Sequence, residues 1–181
     1  MNTPQIFSTK ERILILQKAL FSSKPLSVNS VAKELRLSKG LISKYFDILA
    51  KEKILTKIKN KFFVLDNLFV RGIKIFFNIN NFDPRIFKKF KFVKSVGLYG
   101  SCAKGVNDEN SDIDIWIKTE KSADKELARL NNELNKKFRN IKVLFLNEGK
   151  LSDIKKTDPL FYHSLFFGSI ILYGENEIWY W

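Results

Sequence analysis

The sequence predicts an α+β protein in two parts: an N-terminal set of helices ending in a short hairpin, and a C-terminal mixed sheet with packed helices. Helical spacing of apolar residues recurs three times before residue 50, and alternating β-type runs begin near residue 93. Charge divides the chain at the same place. Residues 1–91 hold 19 Lys and Arg against 6 Asp and Glu, whereas residues 92–181 hold 13 of each. The excess of +13 therefore lies in the first half, which favours a nucleic-acid-facing module, with a solvated lysine-rich surface as the alternative.

Cysteine use and hydropathy limit the class of protein. The single cysteine, Cys102, has no partner for an internal disulfide, which predicts a reducing, cytoplasmic compartment. The N-terminus lacks the order of a signal peptide, and the longest apolar stretches are too short to span a bilayer. We therefore expect a cytoplasmic protein without a membrane partner.

Capping residues precede each of the three helical patterns. Ser8 with Glu11 resembles a capping box before the first, Ser27 precedes the second and Ser38 the third. The first helix would bury Ile13, Leu14, Leu16, Leu20 and Phe21, the second Val28, Val31, Ala32 and Leu35, and the third Ile42, Phe46 and Leu49.

The opposite face of the third predicted helix carries small and basic residues that suit a DNA major groove. Two short β-type runs follow, and a basic-tipped hairpin after a helix-turn-helix is typical of a winged helix. We therefore predict a winged helix-turn-helix at residues 1–65 that binds double-stranded DNA through Lys39, Ser43, Lys44, Lys57, Lys59 and Lys61. Its sequence resembles the winged helices of MarR- and ArsR-type transcription regulators. Winged helices that bind proteins or dimerise are the alternative.

Residues 66–92 are rich in phenylalanine and predict a connecting helical linker. Leu68, Phe69, Ile73, Phe76 and Phe77 line one helical face, and Pro84 ends that helix or begins another. The same face would also suit a homodimer interface.

The run from Val93 ends in a Gly-Ser turn that predicts a phosphate-binding loop. Gly100 allows the backbone to approach a ligand closely, and the Ser101 hydroxyl with nearby amides can hold a phosphate. Lys104 follows in the same loop and adds a positive charge near a triphosphate.

Ten residues after Ser101, the segment "SDIDIWI" predicts a strand with two carboxylates on one face, Asp112 and Asp114. Neighbouring carboxylates repel each other, so a bound cation favours their ionised forms. Mg²⁺ binds carboxylate and phosphate oxygens together and suits attack on phosphorus, with Mn²⁺ as an alternative. The alternative is that the two aspartates lie on a solvent-exposed strand face and bind no metal.

Gly100-Ser101, ten residues and then Asp112-Ile113-Asp114 resemble the signature of the nucleotidyltransferase superfamily that includes DNA polymerase β. Within it, the stretch more closely resembles the minimal nucleotidyltransferases, of the MNT antitoxin type, and the combination with a winged helix resembles archaeal two-domain proteins. The resemblance implies a nucleotidyltransferase-like domain at residues 93–181, with catalytic residues Asp112, Asp114 and Ser101. The late "GSIILYGE" would be its closing strand, and the terminal "EIWYW" alternates like an edge strand.

The resemblance also implies a third carboxylate on a later strand, and this sequence departs from it there. The expected strand is residues 140–147, where Lys142 occupies the equivalent position and Glu148 lies too far along the chain.

Two functions follow as expectations. The first is Mg²⁺-dependent transfer of a nucleoside monophosphate from a triphosphate, with ATP as the expected donor, to a hydroxyl on a protein or other acceptor. The minimal nucleotidyltransferases that this sequence resembles often act as antitoxins that nucleotidylate a HEPN toxin, so the resemblance also implies a toxin partner. The second is a DNA-binding transcriptional regulator whose C-terminal domain binds nucleotide with little or no catalysis. A structural adaptor without nucleotide affinity is a third alternative.

Overall fold

The computed structural model describes residues 3–120 and 123–174. The chain divides into two compact units. The first contains Met1–Lys74 with Asp108–Asn110, and the second contains Ile75–Asn107 with Ser111–Trp181. The division falls inside one helix, between Lys74 and Ile75.

The N-terminal unit is a run of helices followed by a hairpin. In chain order its complete elements are α1 (Thr3–Ile6), α2 (Lys10–Leu20), α3 (Val28–Leu35), α4 (Lys39–Lys51), β1 (Leu55–Ile58) and β2 (Lys61–Val64). The strands pair antiparallel around Lys59 and Asn60, and Leu26 adds a bridge to Phe62.

Side-chain caps fix where these helices begin. Ser27 accepts a hydrogen bond from the amide of Ser30 in a reciprocal capping box, and Ser38 accepts from the amide of Leu41. Both positions agree with the sequence. The cap of α2 is Thr9, which accepts from the amide of Arg12, so the prediction of Ser8 as the cap is wrong by one residue.

The buried face of α2 also differs from the predicted one. Ile15, Leu16, Ala19 and Leu20 are buried, whereas Leu14 is 42 % exposed. Four adjacent apolar residues allowed two helical faces, and packing selected the one that contains Ile15. In α4 the predicted stripe of Ile42, Phe46 and Leu49 is buried as expected.

Residues 66–92 contain two helices, α5 (Leu68–Asn80) and α6 (Arg85–Lys88), and Pro84 is the residue before α6. In the C-terminal unit the further elements are β3 (Val93–Tyr99), α7 (Gly100–Lys104), β4 (Ile113–Thr119), α8 (Asp124–Lys137), β5 (Ile141–Leu146), α9 (Glu148–Thr157), α10 (Pro159–Gly168) and β6 (Ile170–Tyr173).

The C-terminal sheet is mixed, as the sequence predicts. Its strand order is β5-β4-β3-β6, with β4 antiparallel to β3 and parallel to β5, and β6 antiparallel to β3. The parallel pair is joined through α8, because parallel neighbours need a crossover connection.

Both faces of this sheet are covered. On one face Ile115 and Ile117 pack with Leu130 and Leu134 of α8. On the other, Trp116 packs with Leu165 of α10 and other residues of α9 and α10. Because side chains alternate along a strand, the face that carries Trp116 also carries Asp114. The aspartates therefore lie at the end of a face that is otherwise packed.

In the described part of the chain, no helix has the length and apolar character needed to cross a membrane. The predicted edge strand at residues 177–181 lies outside the described residues.

Candidate active site

Strand β3 leads directly into the short helix α7, and Gly100 is the junction. Gly100 has φ +69°, a conformation that glycine adopts without the penalty of other residues. A Cβ atom at this position would lie 2.7 Å from Oδ2 of Asp114. The glycine therefore allows the Gly-Ser turn to lie directly against the Asp114 carboxylate.

The register of β3 and β4 explains why the turn and the aspartates meet. Tyr99, the residue before Gly100, pairs with Asp114, and Asp112 immediately precedes the strand. The Sγ atom of Cys102 lies 3.5 Å from the carbonyl oxygen of Asp112, to which it donates. Gly100, Ser101 and both aspartates, all predicted from the sequence as site residues, are thus brought together.

Burial and the charge of Lys142 act in opposite directions on the pKa of Asp114. Partial burial raises its pKa above the usual value, the positive charge of Lys142 acts to lower it, and the negative charge of Asp112 raises it further. The pKa of neighbouring Tyr99 is also raised, first by burial and then by the charge of Asp114. The pair is therefore a place where added positive charge stabilises the ionised carboxylates.

Lys142 already supplies one positive charge there. It pairs with Asp114 in the parallel register of β4 and β5, the position at which the sequence predicts it. Its Nζ atom lies 2.6 Å from Oδ2 of Asp112, and this contact raises the pKa of Lys142. From the sequence, Lys142 was only the residue that replaces an acid; the structure shows that it is the ion-pair partner of Asp112.

The two aspartates suit one divalent cation of the kind that this fold implies. They provide carboxylate oxygens at the end of one strand face, and the Gly-Ser turn lies directly against Asp114. Within residues 3–120 and 123–174, no group of three or more His, Cys, Asp and Glu side chains is arranged to hold a metal ion. The donor set therefore consists of two carboxylates with a lysine beside them.

A buried pair of asparagines supports the Gly-Ser loop, and sequence reasoning did not predict it. Asn78 of α5 donates to the carbonyl oxygen of Cys102 and to Oδ1 of Asn107, both at 2.9 Å. Asn107 donates back to Oδ1 of Asn78 at 3.2 Å. Both side chains are buried, so the loop that follows Ser101 is anchored to α5 through these bonds.

The remaining predicted residues of this domain lie as follows. Ser101 is partly buried in the first turn of α7, and Lys104 is exposed at the end of that helix. Glu148 begins α9, beyond the end of β5 that lies away from Lys142. Its position agrees with the expectation that it does not replace the third acid.

The predicted DNA-contacting residues all lie in the N-terminal unit. Lys39, Ser43 and Lys44 are on α4, Lys57 is on β1, Lys59 is in the turn and Lys61 begins β2. The five lysines are exposed and Ser43 is partly buried. Lys57 also places its ammonium 5.5 Å from the ring centre of Phe62.

Residues 84–178 match the protein family described as Polymerase beta, Nucleotidyltransferase. The match spans more than half of the chain. The chain therefore belongs to the polymerase beta nucleotidyltransferase family, and its C-terminal unit is a nucleotidyltransferase-type domain.

Among solved structures, one match is a chain of the complex between a tri-AMPylated HEPN toxin and an MNT antitoxin from Shewanella oneidensis. It is 12 % identical, with 60 % of this chain and 76 % of that chain covered and a TM-score of 0.30. No curated protein matches the sequence.

Proposed function

We propose that the C-terminal unit transfers a nucleoside monophosphate from a nucleoside triphosphate, with ATP as the donor, to a hydroxyl group of a protein or other acceptor. The observation that carries this proposal is the approach of the Gly100 turn to Asp114, with Asp112 two residues earlier in the chain. Family membership supports it, since it assigns residues 84–178 to a nucleotidyltransferase-type domain.

In this proposal each group of the chain has a distinct task. Asp112 and Asp114 would hold Mg²⁺ or Mn²⁺, which would neutralise phosphate charge and polarise the reacting phosphoryl group. Ser101 and the backbone around Gly100 hold phosphate oxygens, and Lys104 adds positive charge on the same short helix.

The acceptor oxygen forms a bond to the α-phosphorus while the bond to the β-phosphate oxygen breaks, and pyrophosphate leaves. The hydroxyl proton has to pass to a base. Lys142 is unsuited to this task, because Asp112 raises its pKa and so favours the protonated ammonium. We therefore assign the base to the acceptor or to a partner protein. A HEPN-type toxin as that partner, and a homodimer, stay predictions from the sequence.

Transfer of label from α-³²P-ATP to protein acceptors tests this activity. Asp112→Asn and Asp114→Asn should each lower transfer roughly a hundredfold or more, because each removes a carboxylate that would hold the metal ion against the reacting phosphate. Asp153→Asn, an exposed acid on α9, is the matched control and should leave transfer unchanged. Equal labelling by the wild type and both active-site variants would contradict the proposal.

We also propose that the N-terminal unit is a winged helix that binds double-stranded DNA. Lys39 and Lys44 of α4 and the three hairpin lysines are exposed, and none forms an ion pair with a carboxylate of the described residues. Exposed lysines without carboxylate partners on a helix and the following hairpin suit phosphate contacts. With weak catalysis, the same chain would be a DNA-binding regulator that responds to nucleotide.

Fluorescence anisotropy with labelled duplex DNA over a series of salt concentrations tests this second role. Lys44→Glu should weaken binding and reduce the salt dependence by about one unit of the logarithmic slope. Lys125→Glu makes the same charge change on α8 of the other unit and serves as the control. If both variants bind DNA equally well, α4 is not the contact surface.

A further inference from the structure

The contact between Lys142 and Asp112 has a specific geometry. Lys142 is paired in register with Asp114, yet its ammonium contacts Asp112, two residues earlier in the neighbouring segment. The Nζ–Oδ2 distance is 2.6 Å, and the side chains of Lys142 and Asp112 are 66 % and 42 % exposed. The ammonium thus occupies one of the two carboxylate oxygens through which Asp112 would bind a divalent cation.

The charge of Lys142 also reduces the attraction of the site for a divalent cation. Two carboxylates and one ammonium leave a net charge of about −1, when all three groups are ionised, for attracting a further cation. In the described segments no third acidic or imidazole ligand completes the set. Even at the dielectric constant of water, a divalent ion about 5 Å from an ammonium is repelled strongly enough to shift a binding equilibrium about tenfold.

The same contact is easy to break. An exposed ion pair contributes little to stability, because water screens it and both side chains lose freedom. The lysine side chain has four flexible carbons and binds phosphate as a point charge. A triphosphate that enters beside Gly100 would therefore offer Lys142 an alternative partner, and breaking the ion pair with Asp112 would cost little free energy.

We propose that Lys142 is a displaceable internal counter-ion of Asp112. In the free protein its ammonium weakens the binding of divalent cations to Asp112. When a metal–triphosphate complex enters, the ammonium leaves Asp112 and contacts the phosphates. This inference rests on the proposed nucleotide site, and it adds an order of events. The free protein binds divalent cations weakly, and the metal and the triphosphate bind together.

Binding of Mn²⁺ to the free protein tests the first half of the inference, with electron paramagnetic resonance of unbound Mn²⁺ as the readout. Lys142→Gln should increase Mn²⁺ affinity about tenfold or more. Lys94→Gln is the matched control. It removes a cation from a similarly short ion pair, 2.7 Å from Glu120, at the other end of β3 and β4. This control should bind Mn²⁺ like the wild type.

The double variant Lys142→Gln/Asp112→Asn locates the effect. If Lys142 acts by covering Asp112, the gain in Mn²⁺ affinity disappears when the carboxylate is removed. Equal affinity of the wild type and Lys142→Gln would overturn the inference, as would a gain that persists in the double variant. Because Lys142 is exposed, circular dichroism melting should show that each variant is folded.

The second half is tested by repeating the titration with a non-hydrolysable ATP analogue. The analogue should raise Mn²⁺ affinity more in the wild type than in Lys142→Gln, because only the wild type has a lysine to transfer to the phosphates. An equal or smaller enhancement in the wild type would overturn this part. These readouts do not depend on turnover. If the Mn²⁺ affinities change as expected but no nucleotidyl transfer is observed, only the enzyme proposal is rejected. If transfer is observed but the Mn²⁺ affinities do not change as expected, only the role of Lys142 is rejected.

Discussion

At the scale of single residues, Gly97 and Gly100 shape the strand that leads into the site. Gly97 pairs with Trp116, and a Cβ atom there would lie 2.3 Å from the indole ring. Trp116 is fully buried and donates a hydrogen bond from Nε1 to the Ser169 hydroxyl at 2.9 Å. The glycine therefore permits the position of the tryptophan, and the tryptophan fills the sheet face next to Asp114.

We expect Gly97→Ala to destabilise the protein by about 1–3 kcal/mol, since the added methyl group must displace a buried indole. Urea denaturation, followed by the tryptophan fluorescence, measures the change. Gly72→Ala is the control, because Gly72 is an exposed residue inside α5 with nothing near its Cβ position. There the substitution should stabilise by roughly 0.5–1 kcal/mol. If Gly97→Ala left the free energy of unfolding unchanged, the strand would have space for a methyl group beside Trp116, which would contradict the structure.

Cys102 offers a second residue-scale test, because it is the only cysteine in the sequence. Burial raises the pKa of its thiol to about 11. Since the thiolate is the reactive form, alkylation by iodoacetamide should be very slow at pH 7 and should accelerate as pH approaches 11 or when the protein unfolds. Mass spectrometry after timed quenching measures the rate. Modification of the folded protein at pH 7 as fast as in urea would contradict this burial.

At the scale of elements, α5 is more than the connection that the sequence predicts. Asn78 of this helix donates a hydrogen bond to the carbonyl oxygen of Cys102, and the side-chain amides of Asn78 and Asn107 donate to each other. This arrangement stabilises the path of the loop between α7 and β4, and so the spacing between the Gly-Ser turn and the aspartates.

Asn78→Ala should destabilise the protein by about 1–3 kcal/mol and weaken nucleotide binding, because buried polar atoms lose their donor and acceptor. A double-mutant cycle with Asn107→Ala should give a coupling energy of about 0.5–3 kcal/mol, measured by denaturation. Additive effects would show that the two amides act independently. Asn80→Ala, an exposed residue at the end of the same helix, is the control for the helix itself.

Several elements could be predicted because local patterns decide them. Ser27 and Ser38 cap their helices as expected, and the alternation around Asp114 correctly predicts a strand. Leu14 was misassigned, because a run of apolar residues is consistent with two helical faces. The contact between Lys142 and Asp112 depends on the strand register, which the sequence does not show. Asn78 is one of several polar residues in α5, and no periodic pattern distinguished it from the others.

At the scale of the whole molecule, the chain forms two compact units, and its charge is divided unevenly along the sequence. Residues 1–91 hold the excess charge of +13, whereas residues 92–181 are balanced and contain the two aspartates. The family assignment covers residues 84–178, and the DNA-binding role of the N-terminal unit is a separate proposal with its own test. A substitution in the N-terminal unit that abolishes DNA binding should therefore leave nucleotidyl transfer measurable, and a substitution at the aspartates that abolishes transfer should leave DNA binding measurable.

The most direct test of the central claim is a crystal structure of the protein with Mg²⁺ and a non-hydrolysable ATP analogue. We predict one metal ion bound by both Asp112 and Asp114 and by the triphosphate, with the phosphates beside Gly100 and Ser101. Lys142 should have left Asp112 for a phosphate oxygen. A triphosphate bound elsewhere on the protein, or an intact Lys142–Asp112 pair with no metal at the aspartates, would contradict the claim.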